Sequence, residues 1–90
     1  MLESAIISLE DKRMMAYVLI NTEIGGIPEV LEALKKIKNV KEAHAVYGTY
    51  DIVAKVEAES LNKLKETLTL EVRLLIKVRS TLTMIAMEES

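Results

Sequence analysis

Cysteine is absent from the chain, so neither a disulfide framework nor a thiolate metal site can form, and nothing in the composition points to an oxidising compartment. Long apolar runs are missing too, because Glu, Lys and Asp interrupt each one before it reaches membrane-spanning length. Met1-Leu2-Glu3-Ser4 lacks the basic-then-apolar order of a signal peptide. The expected setting is therefore the cytoplasm, with no membrane partner. An excess of positive charge is also lacking: the formal net charge is -2, against the basic balance of a domain that grips a phosphate backbone. Direct nucleic-acid binding is not expected. The one basic cluster, Lys35, Lys36, Lys38 and Lys41, falls at a predicted helix end, where cations offset the helix dipole, and reads as a solvated face.

What is present is enough for one compact domain. The 90 residues are 50% hydrophobic and 29% charged, a globular mixture too short for two cores. Residues 14–88 form the expected domain, and residues 1–13 a short amino-terminal extension. Met14 to Asn21 is a continuous apolar, β-prone run, followed by turn-forming Thr22-Glu23-Ile24-Gly25-Gly26. Ile27, Val30, Leu31, Leu34 and Ile37 then fall on one helix face, with the only proline, Pro28, and Glu29 in the first turn. This helix is predicted to end near Lys38-Asn39.

Val40 to Tyr47 alternates as a strand, with Val40, Glu42, His44 and Val46 on one face and Lys41, Ala43, Ala45 and Tyr47 on the other. Tyr50, Ile52, Ala54 and Val56 alternate against Asp51, Val53, Lys55 and Glu57, so Gly48-Thr49 is expected to be a tight link in an antiparallel hairpin. Ser60 offers an N-cap oxygen to a second helix, predicted over Leu61 to about Leu75, in which Thr67 and Thr69 weaken the propensity. Val78 to Met87 reads as a last strand, with Ser80, Leu82, Met84 and Ala86 opposite Thr81, Thr83, Ile85 and Met87. Leu2 to Leu9 fits either a helix turn or a short strand, with the strand preferred.

The order β-α-β-β-α-β defines an α+β, ferredoxin-like sandwich: a four-stranded antiparallel sheet with two helices on one face. Strands one and four carry large apolar side chains on both faces, yet helices cover only one. A second sheet from an identical chain is the simplest cover for the other, giving a homodimer of dimeric α/β-barrel type; the alternative is that the amino-terminal segment folds over it.

Enzyme signals are thin. The single histidine, His44, lies in a strand between small residues, and no cofactor-binding or metal-ligating spacing occurs. Gly25-Gly26 lacks both the Gly-x-Gly-x-x-Gly pattern and a following Lys-Ser or Lys-Thr, and no two helices sit at helix-turn-helix spacing. No catalytic residue, metal or cofactor is expected. The informative cluster is Tyr47-Gly48-Thr49-Tyr50-Asp51. Gly48 allows backbone N–H groups to approach a ligand carboxylate, Asp51 can pair with an ammonium group, and the Thr81 and Thr83 hydroxyls share one strand face. An ordinary hairpin turn, with threonines present for β propensity, accounts for the same residues. Spacing alone does not separate these two readings.

These residues resemble a known family. Ala16-Tyr17-Val18-Leu19-Ile20, Gly25, the run from Val40 to Ile52, and Val78-Arg79-Ser80-Thr81-Leu82-Thr83 are similar to the effector domain of Lrp/AsnC transcription regulators, also called the RAM domain. The most specific pieces are Gly-x-x-Asp at Gly48 to Asp51 and Ser-Thr-x-Thr at Ser80 to Thr83. The resemblance implies a stand-alone RAM protein without the usual helix-turn-helix domain. It also implies dimers joined through their sheets, assembly into octamers or similar rings, and amino acids bound between dimers. Carried over by position, Gly48, Tyr50 and Asp51 line that site with Thr81 and Thr83, and His44 is a weaker candidate. Two residues depart from the pattern: Lys77 stands where glycine commonly precedes the valine, and Thr49 replaces a more usual polar or acidic residue. The function implied is an amino-acid-responsive regulatory module working through DNA-binding Lrp/AsnC relatives. A small dimeric ferredoxin-like enzyme (an oxygenase or isomerase) and a purely structural assembly module are the alternatives. The enzyme needs His44 and a carboxylate converging in a pocket between helices and sheet.

Overall fold

A computed structural model describes residues 13–86. Strand β1 (Met14–Thr22) leads into helix α1 (Ile27–Lys35), the hairpin β2 (Val40–Ala45) and β3 (Ile52–Ala58), helix α2 (Leu61–Glu66) with a π-helical continuation (Thr67–Val72), and strand β4 (Val78–Ile85). The strands form one antiparallel sheet in the order β2-β3-β1-β4. This is the expected ferredoxin-like βαββαβ arrangement. The ambiguous segment Leu2 to Leu9, together with Met87 and the carboxy-terminal end of the expected domain, lies outside the described residues.

The core follows from strand alternation. Ala16, Val18 and Ile20 of β1 and Ile52, Ala54 and Val56 of β3 point to the helices and are buried, and Val30 and Leu34 of α1 and Leu64 of α2 close over them. Both helices start as the residues dictate. Pro28 and Glu29 occupy the first turn of α1, and the Ser60 hydroxyl accepts a 3.2 Å bond from the Lys63 N–H at the start of α2.

Helix α1 ends at Lys35, a turn earlier than the periodicity predicts. The Ile37 N–H bonds back to the Leu34 carbonyl and the Val40 N–H to the Ile37 carbonyl, both at 3.1 Å, so the chain tightens into turns while Ile37 still packs on the core.

The second helix departs further. It is α-helical only to Glu66 and then widens, with the Arg73 N–H reaching the Leu68 carbonyl five residues back. Its buried positions Leu64, Leu68 and Val72 step by four, more than the 3.6 residues of an α-turn, and a wider turn keeps all three on the sheet. Thr67 fixes the change: its hydroxyl donates to the Lys63 carbonyl at 3.1 Å and accepts from the Asn39 side-chain amide at 2.8 Å. Leu61, the first residue of α2, is exposed.

Two register features correct the strand reading. A bulge after Val40 leaves Lys41 without a cross-strand partner, so Val40 shares the helix face with Ala43 and Ala45 while Glu42 and His44 face outward. The hairpin link is not two residues: pairing stops at Ala45 and resumes at Ile52, and the loop is closed by the Val46 N–H to the Asp51 carbonyl at 2.9 Å.

Strand β4 pairs only with β1, at the sheet edge, and is exposed or half-buried along its length. The helix cover expected for one whole face thus stops short of it. Leu82 and Met84 lie beside Leu19 and Tyr17 on the open face, and Ile85 lies beside Ala16 on the other. Among the described residues no helix is long and apolar enough to cross a membrane.

Candidate functional site: a polar cleft at the hairpin end of the sheet

The end of β1, the start of β3 and the start of β4 meet at one end of the sheet, and the Gly48 loop is joined to them through Asp51. The Asp51 N–H donates to the Ile20 carbonyl at 2.9 Å. Its carboxylate oxygen Oδ2 accepts from the Thr22 N–H at 2.9 Å and from the Thr22 hydroxyl at 3.2 Å. Asp51 is thereby held in one orientation by the last residue of β1. Both bonds fall on Oδ2, and among the described residues no donor is bonded to Oδ1. Half the carboxylate remains available for a cation.

Asn21, Thr22, Asp51, Arg79 and Ser80 enclose an open cleft of about 430 Å³. A second depression of about 210 Å³, lined by Arg73, Val78, Arg79, Ser80 and Thr81, adjoins it through Arg79 and Ser80. One acidic residue, Asp51, and one basic residue, Arg79, therefore line the same space. That pairing suits a zwitterion, because the carboxylate takes an ammonium group and the guanidinium fork matches a ligand carboxylate.

The residues anticipated from the sequence separate into groups. Asp51 lines the cleft and Thr81 lines its neighbour. Gly48, at a φ of +137° that only glycine adopts readily, shapes the loop, with Thr49 exposed and Tyr50 half-buried between it and Asp51. Thr83 stands opposite Val18, further along β4 and outside both depressions. His44 lies on β2, at the opposite sheet edge from β4, three strand spacings or about 14 Å away. There it is exposed, its Nε2 3.2 Å from Glu42 Oε1. Within one chain His44 and the threonines do not meet. The His44–Glu42 pair lies on the open face and lines neither depression.

Sequence reasoning assigned no role to Arg79, Asn21 or Thr22. Arg79 directly precedes the Ser-Thr-x-Thr run, and a cation there, facing an acid across the sheet end, is the signal that could have revealed it. Asn21 and Thr22 become visible only once β1 is paired with β4, because Asn21 stands opposite Ser80. Among the described residues no group of three His, Asp or Glu side chains is placed to hold a metal ion.

A βαββαβ domain of this size belongs to the class of small ferredoxin-like modules, and the polar cleft at the loop end of its sheet is its candidate ligand site. The chain belongs to the Lrp/AsnC ligand binding domain family, whose model matches residues 15–90. Among solved structures it is similar to FFRP-DM1, with 39% identity over 82% of this chain and 99% of that one at a TM-score of 0.80. It is also similar to hypothetical protein PHS023 from Pyrococcus horikoshii, with 39% identity over 84% of this chain and 92% of that one at a TM-score of 0.79. Transcriptional regulator NMB0573 from Neisseria meningitidis, solved as a complex with L-Met, shares the fold at a TM-score of 0.78; identity is 12%, over 92% of this chain and 55% of the regulator. No curated protein matches the chain.

Proposed function

We propose that the protein is an amino-acid-binding effector module that works as a homo-oligomer and acts on transcription or amino-acid metabolism by assembling with DNA-binding relatives. The observation that carries this reading is the cleft at the end of the sheet that an oriented Asp51 lines together with Arg79. The family's character as a ligand-binding domain supports it, as does the methionine held by a regulator of the same fold.

In the proposed complex Asp51 takes the α-ammonium group and Arg79 the α-carboxylate, with Ser80 and Thr81 completing the bonds and the Gly48–Tyr50 loop forming the rim. The cleft is open to solvent, so a second pair of subunits packed against this end closes it and brings its own loop residues to the ligand; rings such as octamers follow from repeating that contact. His44 and Thr83, far apart in one chain, join the site only through such a neighbour. Binding then shifts the population of assemblies by its differential affinity for them.

The test is a calorimetric screen of the common amino acids with Asp51→Asn and Arg79→Ala as controls. Asn keeps an oxygen for Thr22 but loses the charge, so the fold should survive while affinity falls by about tenfold or more, the worth of one charge-assisted bond. Absence of a saturable signal with any amino acid, or binding indifferent to both substitutions, overturns the assignment.

A further inference from the structure

The opposite end of the sheet carries a second cleft, whose lining is strongly basic where that of the Asp51 cleft is balanced. Arg13, Lys38, Asn39, Lys41, Ala58, Glu59 and Lys63 enclose a depression of about 230 Å³, with four cations facing a single carboxylate. They come from four places in the chain: the residue before β1, the link between α1 and β2, the start of β2, and the stretch from the end of β3 into α2. The sequence shows only a lysine-rich helix end. Folding sorts that cluster, drawing Lys38 and Lys41 into the cleft and adding Arg13 and Lys63.

Two features mark the concentration of charge as constructed. The bulge after Val40 takes Lys41 out of the cross-strand register, and Lys41 is the residue that lines the cleft; bulges commonly re-aim a side chain in this way. The wall beside it is fixed, since Asn39 accepts the Glu57 N–H at its carbonyl at 2.9 Å and donates its side-chain amide to Thr67 at 2.8 Å. Arg13 is partly engaged, with Nε 3.7 Å from Glu57 Oε1. Among the described residues no carboxylate pairs with Lys38, Lys41 or Lys63 at salt-bridge distance. Like charges gathered in a concavity repel one another, and an anion relieves that cost.

We infer that this cleft is a binding site for a small phosphorylated anion. Lysines act as point charges that converge on a doubly charged phosphoryl group, whereas a lone carboxylate is matched better by a guanidinium fork. The concave shape and modest volume fit a di- or triphosphate rather than the convex backbone of a duplex. This site is separate from the Asp51 cleft, so a phosphorylated metabolite or nucleotide constitutes a second input to the domain.

Pyrophosphate, ATP and a short DNA duplex, titrated separately into the full chain and followed by calorimetry and by amide shifts in NMR spectra, provide the test. Pyrophosphate and ATP should bind saturably and shift the amides of Asn39, Lys41, Ala58 and Lys63. Affinity should fall on the order of tenfold or more in Lys41→Glu/Lys63→Glu and weaken as salt rises from about 0.05 to 0.3 M. Arg79→Ala should leave this binding unchanged. The inference is overturned by the absence of saturable pyrophosphate or ATP binding, by loss of binding in Arg79→Ala with the lysine variant unaffected, or by binding of the duplex alone.

Discussion

On the helix side of the sheet Ala16, Val18, Ile20, Ile52 and Val56 are wholly withdrawn from solvent, whereas on the other side Tyr17, Leu82 and Met84 keep 40%, 47% and 49% of their surface exposed. Both faces are written by the same two-residue alternation and both carry large apolar side chains. The difference lies in what covers them. α1 and α2 with its π-helical continuation seal the first face over β1 and β3 and part of β2, and β4 beyond Val78 is left largely open. One face therefore holds the single chain together, and the other supplies the surface on which copies can associate, since the simplest complement to an apolar sheet is an identical one.

The comparison is tested most severely on the buried side. Ile20→Ala should cost about 2–5 kcal/mol, because Ile20 lies fully buried on the inner strand β1 and the helices above it relax only partly into the void. Chemical denaturation should show the midpoint falling with an unchanged slope. A loss below about 1 kcal/mol would mean that the helix layer is not the source of stability.

On the open side Leu82→Glu should act on association instead. Leu82 stands beside Leu19 in the middle of the uncovered face, and a carboxylate there cannot be buried against a second sheet without a partner. Sedimentation should show the unsubstituted protein as an oligomer whose melting temperature rises with concentration, and the variant as a cooperatively melting species of 10.1 kDa without that dependence. If the unsubstituted protein sediments as a monomer at micromolar concentration, the open face is covered by something other than a second copy.

The fold was legible because its signals are local: the apolar run of β1, the alternation of β3, the Ser60 cap, and the Pro28-Glu29 start of α1 all stand in the structure as the residues imply. The π-helical widening was not legible. Thr67 signalled weak α propensity, but the Asn39 amide that stabilises the wider turn lies 28 residues away. The bulge at Lys41 escaped for a related reason. Shifting the register by one residue exchanges the two faces of a strand, and strict alternation offers no mark of where the extra residue sits. Of the candidate site, Asp51 and the Gly48 turn were visible as a motif. The Arg79 and Thr22 contributions depend on cross-strand pairing that no short window contains.

Asp51 tests how far the two candidate clefts differ in what holds them. Its carboxylate organises the end of β1, so Asp51→Ala strands the buried Thr22 donors and should cost about 1–3 kcal/mol. Asp51→Asn should keep most of that stability. Thermal melts of the two variants, read beside their amino-acid affinities, separate the structural role of the carboxylate from its proposed role in binding. Equal losses of stability in both would show that charge, rather than the oxygen acceptor, organises this end.

The smallest expected effect is at Lys77, whose φ of +77° is the left-handed conformation that side chains adopt at a cost of about 1–2 kcal/mol. The backbone cannot easily leave it: the Lys77 carbonyl accepts the Glu23 N–H at 2.8 Å, tying the link before β4 to the turn after β1. A Cβ placed on Gly26 would come within 3.1 Å of the Lys77 Cβ, so the two segments are in close contact. Glycine at 77 relieves the strain but gains chain entropy on unfolding and loses the exposed 3.1 Å ion pair between Lys77 and Glu29, which offsets about half or more of the benefit. Lys77→Gly should therefore be neutral or stabilising by up to about 1 kcal/mol, measured by denaturation, with the Asp51 cleft unchanged. A clear destabilisation would show that the lysine side chain, through its contacts with Glu29 and Gly26, outweighs the strain in its own backbone.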